Sequence, residues 1–237
     1  LITNPLEEVE GIATFVLIHG AGDVGWYWHL VETELRRRGH DVVAPDLPCD
    51  DTAAGLPEYA DTVVGAIGKR RNVVVVAQSF GGFTAPLVAD RLPVDALVLV
   101  TGMIPAPGER ADDWFANAGY AQAVQEQARR DGGMTGNNDP FVVYYHDVPR
   151  ALAEDAMSKE RPQSSTPGQQ PWPLDSWPAV PTRFVLCTED RFFPPDFMRK
   201  VVAERLAITP DEIAAGHCVA LSRPKELADK VVGYHES

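Results

Sequence analysis

Four short apolar runs limit what this chain can fold into. They are "FVLI" (15–18), "VVVV" (73–76), "ALVLV" (96–100) and "FVLC" (184–187), and none alternates polar with apolar residues. A strand with one wet face alternates, whereas a strand covered on both faces does not. Helical periods separate the runs: "WHLVETELRRRGH", stopped by Gly39, then "EYADTVVGAIGKR", "GGFTAPLVADRL" and "PDFMRKVVAERL". Buried strands alternating with helices predict an α/β fold, a mostly parallel central sheet flanked by helices on both faces. Weaker strands are expected at "DVVAPDLP", ending near Ala44, and from Glu212 to Ala214, with a final helix from Pro224. A chain of 237 residues can bury such a core without metals or disulfides.

The rhythm breaks between about Pro105 and Trp177, where the chain turns helical, irregular and rich in Pro, Gln and Trp. Residues 105–177 are expected to be an inserted cap, with 1–104 and 178–237 forming the core, because both ends of the insert join strands of one sheet. Within it, "RPQSSTPGQQPWPLDSWPAVP" reads as a long ordered loop. The cap is aromatic: Trp114, Phe115, Tyr120, Phe141, Tyr144, Tyr145, Trp172 and Trp177. Such residues either line an apolar pocket or bury the cap against the core.

The strand "NVVVVAQS" runs straight into "FGGF". A hydroxyl at the end of a buried strand can be a helix N-cap, a common use of Ser. It can also be a nucleophile held at a tight strand-to-helix turn, as in the pattern G-x-S-x-G, with Ala77 here in the first Gly position. A serine hydroxyl is a poor nucleophile at neutral pH without an adjacent base and donors for the developing oxyanion. "HGAG" (19–22) follows the first strand, where the N–H of Ala21 could pair with that of Phe80 around one oxygen. Asp190 and His217 each follow a later strand. The order Ser79, Asp190, His217, with each residue at a strand's carboxyl end, is that of a nucleophile–acid–base triad. Glu189 is expected to point away, Asp196 to open a helix, Asp46 to form a turn and His19 to be structural. Gln78, Tyr145, Met157 and Cys218 are candidate pocket residues. His29, His40, His146 and His235 are assigned no chemistry. No His/Asp/Glu spacing suits a metal, and no cofactor is expected.

The net charge of −13 argues against a nucleic-acid partner, which needs a basic surface, and against anionic membranes. No apolar run reaches the ~20 residues needed to span a bilayer. "LITNPLEEVEG" has no basic-then-apolar leader pattern. Cys49, Cys187 and Cys218 are odd in number and widely spaced, which suits a reducing cytoplasm. Oligomeric state is not legible.

"FVLIHGAGDVGWYWHLVETELRRRGHDVVAPDL", "TEDRFFPPDF", "GHCVALSRPKELA" and, in the cap, "RPQS" resemble segments of the α/β-hydrolase superfamily, within it the plant methylesterase and hydroxynitrile lyase group. The resemblance covers most of the chain outside the middle of the cap. It implies a sheet that starts directly at the oxyanion strand, the triad Ser79, Asp190 and His217, and oxyanion donors at Ala21 and Phe80. Two positions depart from it: Gln78 stands where many relatives have His, and Cys218 where the lyases carry a Lys that stabilises cyanide. A cysteine supplies no positive charge there, so hydrolysis of a small, apolar ester is favoured. A ligand-binding receptor or carrier, and a lyase or cyclase reusing the triad for acid–base chemistry, are the alternatives.

Overall fold

The computed structural model describes residues 11–236; the N-terminal stretch read for a leader lies almost wholly outside the described residues. Six strands form one sheet: β1 (Thr14–Ile18), β2 (Asp41–Val43), β3 (Val73–Gln78), β4 (Ala96–Val100), β5 (Thr182–Cys187) and β6 (Asp211–Ile213). Their order is β2-β1-β3-β4-β5-β6. Every neighbouring pair is parallel, so among the described residues the sheet is wholly parallel, one step beyond the mostly parallel expectation. The order reverses at β1, which has β2 on one side and β3 on the other. Such a switch point opens a crevice beyond the strands' carboxyl ends.

The unbroken apolar runs are explained by two cores, one on each face. Phe15, Leu17, Val74 and Val76 point to a cluster completed by Val31 and Leu35 of α1 (His29–Arg37) and Leu227 and Val231 of α11 (Pro224–His235). Val16, Ile18, Val73 and Val75 point the other way. They meet Val63 of α2 (Leu56–Ile67), Phe83 of α3 (Gly81–Arg91) and Val201 of α9 (Pro195–Leu206). Each such Val or Leu, fully buried, contributes about 1.5–3 kcal/mol. A short 3-10 turn (Gly25–Trp28) leads into α1, so the helix starts later than "WHLVETELRRRGH" suggests. Gly39, at φ 90°, follows its end as expected.

Between the adjacent strands β4 and β5 the chain forms α4 (Ala111–Ala118), α5 (Tyr120–Asp131), α6 (Pro140–Val143), α7 (Arg150–Met157) and α8 (Thr166–Gln169). The single turn of α8 lies inside the stretch read as loop, with Pro167 at its start, where a missing N–H costs nothing. A short α10 (Val219–Ser222) precedes α11. Residues 105–177 share the sheet's core. The Trp114 indole donates to the Ile104 carbonyl at 2.9 Å, and that of Trp172 to the Phe83 carbonyl at 3.2 Å. Both rings are buried.

A buried ion pair adds a second tie. Glu109, before α4, accepts from Arg205 of α9 at 3.0 Å, Asn117 at 2.9 Å and the Ala106 N–H at 3.1 Å. Burial alone would raise this carboxyl, but these donors outweigh it and hold it below the ordinary Glu range. A depressed carboxyl stabilises the fold above its unfolded value, about 4.3, and the contribution is lost as pH falls through the folded value. Glu109→Gln is therefore expected to flatten the acid-side fall in melting temperature. Glu109→Ala, which leaves Arg205 unpaired, is expected to cost about 3 kcal/mol at neutral pH in denaturant unfolding.

Candidate active site

Ser79 sits between β3 and α3 with φ at 50°, a left-handed conformation rare for a residue with a side chain. Small neighbours permit the turn. A Cβ on Gly81 would lie 2.9 Å from the His19 carbonyl oxygen, and one on Gly82 1.9 Å from that of Met103. The Ser79 carbonyl accepts from the N–H groups of Gly82 at 3.1 Å and Met103 at 2.8 Å, so the corner is pinned to its own helix and to the loop after β4. Gly82 thus lets α3 pack against that loop.

The turn after β1 approaches the serine so closely that a Cβ on Gly20 would lie 3.1 Å from the Ser79 Cβ. His19 accepts from the Leu47 N–H through Nε2 at 3.0 Å, which places its proton on Nδ1, bonded to the Gly20 carbonyl at 2.8 Å. Burial pushes this imidazole down to about 4, so it is neutral, and its hydrogen bonds fit the structural role read from the sequence. From the 105–177 segment, Gln163 accepts from the Gly22 N–H at 2.9 Å and Arg161 donates its N–H to the Gly22 carbonyl at 2.7 Å. "RPQS" is thus a strap across this turn.

Asp190 follows β5 and His217 follows β6. The imidazole Nδ1 lies 2.8 Å from Asp190 Oδ2. Asp190 Oδ1 accepts from the N–H groups of Phe192 at 2.8 Å and Phe193 at 2.9 Å, and Oδ2 also accepts from the Thr101 hydroxyl at 2.6 Å. The rings of Tyr144, Phe192 and Phe193 surround the imidazole with centroids 5.0–5.6 Å away. Gln78, buried at the end of β3, donates to the His217 carbonyl at 3.4 Å. Among the described residues no hydrogen bond joins the Ser79 hydroxyl to the imidazole. Bonds of this kind are often long before substrate binds.

A cavity of about 490 Å³ gathers Ser79, His217, Ala21, Phe80, Gln78, Tyr145 and Cys218 on its walls. Met157, expected there, is not on its walls. It ends α7, half-buried against the cluster that holds Tyr145, because the helix turns it toward the core. Of the eight aromatics singled out in residues 105–177, Phe115, Tyr144 and Tyr145 line the cavity. The Tyr145 hydroxyl donates to Glu160 at 2.8 Å, and burial raises its pKa far above the usual range. Burial also raises the Cys218 thiol well above its ordinary value. Glu189 is exposed, Asp196 lies in the first turn of α9, and Asp46 accepts from the Gly25 N–H at 2.7 Å; the imidazole Nδ1 is bonded to Asp190 instead. Among the described residues no group of three His, Cys, Asp or Glu is placed to hold a metal.

Two site features escaped sequence reasoning. Thr101, after β4, is buried with φ at 40°, unusual for a β-branched residue. Like Ser79, it stores strain of order 1–3 kcal/mol. Asp23 is the other. Residue types alone mark neither; only an acid or hydroxyl just past a strand would have prompted the question.

This geometry agrees with the comparisons. Residues 15–230 match the model of the alpha/beta hydrolase family, and the chain belongs to that family. It is 24% identical to norfluorocurarine synthase 1 of a Strychnos species, over 92% of this chain and 96% of the relative. Methylesterase 9 of Arabidopsis thaliana is 25% identical over the same two shares. The crystal structure of polyneuridine aldehyde esterase superposes with a TM-score of 0.75 at 22% identity, covering 95% of this chain and all of that one.

Asp23, on the cavity wall, is pushed up to about 7 by burial, with Glu160 and Asp46 adding to the effect against one hydrogen bond from the Val24 N–H. The unfolded carboxyl ionises near 4, so between about 4 and about 7 the folded state binds more protons and stability falls as pH rises. Asp23→Asn is expected to remove that slope. Its melting temperature should exceed that of the parent above pH 7 and approach it in acid.

Proposed function

We propose that this chain is a serine esterase that cleaves a small, apolar carboxylic ester through an acyl-enzyme. The observation that carries this reading is the 2.8 Å His217–Asp190 contact, made by an imidazole that lines the same cavity as the strained Ser79. With Nδ1 committed to Asp190, Nε2 is the nitrogen left to act as base. Ser79 Oγ attacks the ester carbonyl and its proton passes to His217. The N–H groups of Ala21 and Phe80 hold the oxyanion, Phe80 at the start of α3 where the helix dipole favours negative charge. His217 protonates the leaving alcohol as the ester C–O bond breaks. Water then attacks the acyl group, its proton passing through His217 back to Ser79.

Residues 105–177 act as the cap over this chemistry, supplying Phe115, Tyr144 and Tyr145 to the wall. Asp23, Asp112 and Glu160 line the cavity, and among the described lining residues there is no Lys or Arg. Anionic substrates are disfavoured by that wall, and neutral ones fit it. No described helix is long and apolar enough to cross a membrane. Three free buried cysteines suit a cytoplasmic setting.

A synthase among the relatives favours one second reading, reuse of the triad for acid–base chemistry without net hydrolysis. The buried, neutral Cys218 beside His217 argues against the cyanohydrin form of it. A fluorophosphonate is expected to label Ser79 stoichiometrically and to leave Ser79→Ala untouched. An inert serine, as in a carrier, would stay unlabelled in both. On a panel of aryl esters Asp190→Asn is expected to lower kcat by about 10³–10⁴-fold. Release of the free acid separates hydrolysis from lyase chemistry.

A further inference from the structure

We propose that Thr101 is a positioning residue for the triad: its hydroxyl fixes the Asp190 oxygen that faces His217 and shares that oxygen's charge. This rests on the esterase reading of the site. The Thr101 hydroxyl and the imidazole Nδ1 meet the same atom, Asp190 Oδ2, at 2.6 and 2.8 Å. The other oxygen is taken by two backbone N–H groups of the acid's own loop. Among the described residues Thr101 is therefore the one side chain besides His217 that holds the carboxylate, and it comes from a different strand end.

Its backbone reaches this place through a left-handed conformation at φ 40°, which Gly or Asn would adopt at lower cost. The Thr101 N–H is already used, donating to the Val185 carbonyl at 2.8 Å. A β-branched residue in so unfavourable a conformation needs a compensating contact, and the bond to the buried carboxylate supplies one. Two residues on, the Met103 N–H donates to the Ser79 carbonyl at 2.8 Å. One short loop after β4 thus holds the acid by a side chain and the nucleophile's corner by its backbone.

A shared acceptor divides its charge between two donors. Removing the hydroxyl leaves more of the Oδ2 charge to the imidazole, which favours its protonated form. The acid limb of kcat/KM then moves to higher pH, since that limb reports the base in the free enzyme. Asp190 is also less firmly aimed, and kcat falls. Among the described residues, the other charged or titratable groups around His217 are Tyr144 against its ring, Asp23, Tyr27, Asp112, Tyr145 and Glu160 on the cavity wall, His146 and Asp147 beside Gly216, and the neighbouring Cys218. The substitution alters none of them.

Thr101→Val, which keeps shape and β-branch, is compared with Thr101→Ser and the parent by aryl-ester kinetics across pH and by thermal melting. The expected result is a loss in kcat of about tenfold with KM unchanged, an acid limb moved upward, and recovery of both in Thr101→Ser. A folded Thr101→Val with the parent's kcat and pH profile overturns the proposal. If Val prevents folding, Thr101→Gly decides, because it relieves the backbone and still removes the donor. Its kcat should fall although its fold is retained, and parental kcat would overturn the role. Failure of the esterase reading looks different: the parent itself would neither turn over the esters nor label at Ser79, and the proposal would fall with it.

Discussion

A carboxylate whose side chain has no exposed surface must have its charge answered by donors, and Asp190 has four. They come from the loop after β4, from its own loop after β5 and from the loop after β6. Each is worth more than a neutral hydrogen bond because the acceptor is charged and out of water. The parallel order β4-β5-β6 is what brings these three loops to one edge. In an antiparallel arrangement neighbouring strands would deliver their ends to opposite edges. The carboxylate and the sheet topology therefore support each other: the fold gathers the donors, and unpaired burial of the charge would be too costly for the loops to sit otherwise.

Ser79, the proposed nucleophile, is held by a different means. Its corner is held by sterics and backbone bonds: the close approach of Gly20, the contact of Gly82 with the Met103 carbonyl, and two N–H groups on the Ser79 carbonyl. Strain at Ser79 and Thr101 is carried by a core that buries both faces of β3 and β4 completely. Three aromatic rings confine the imidazole between these two preparations, limiting its rotation and its access to water. The strap at Arg161 and Gln163 holds the turn after β1 from above, so the residues over the cavity also position what lies under them.

What could be read from the residues was what depends on local pattern. The unbroken Val and Leu runs gave the buried strands, and the order Ser79, Asp190, His217 gave the meeting of acid and imidazole. A structural role for His19 followed from its place before Gly20; its neutrality comes from burial. What could not be read depends on register and on which way a side chain turns. Thr101 is unremarkable as a residue past a strand. It matters because Val100 pairs with Val185, which carries the loop beside Asp190. The Glu109–Arg205 tie spans 96 positions and has no local signature. Met157 and Tyr145 were equally plausible wall residues, and only the orientation of α7 separates them. The single turn of α8 is too short for periodicity to reveal.

On the esterase reading, this convergence makes an alcohol oxygen a covalent nucleophile. Rapid quenching of the protein during turnover of an activated aryl ester, followed by intact mass measurement and peptide mapping, tests it most directly. A transient adduct of one acyl mass is expected on the peptide bearing Ser79, formed with a burst of the phenol. Ester turnover with no adduct at any time would contradict it, as would an adduct on any other residue.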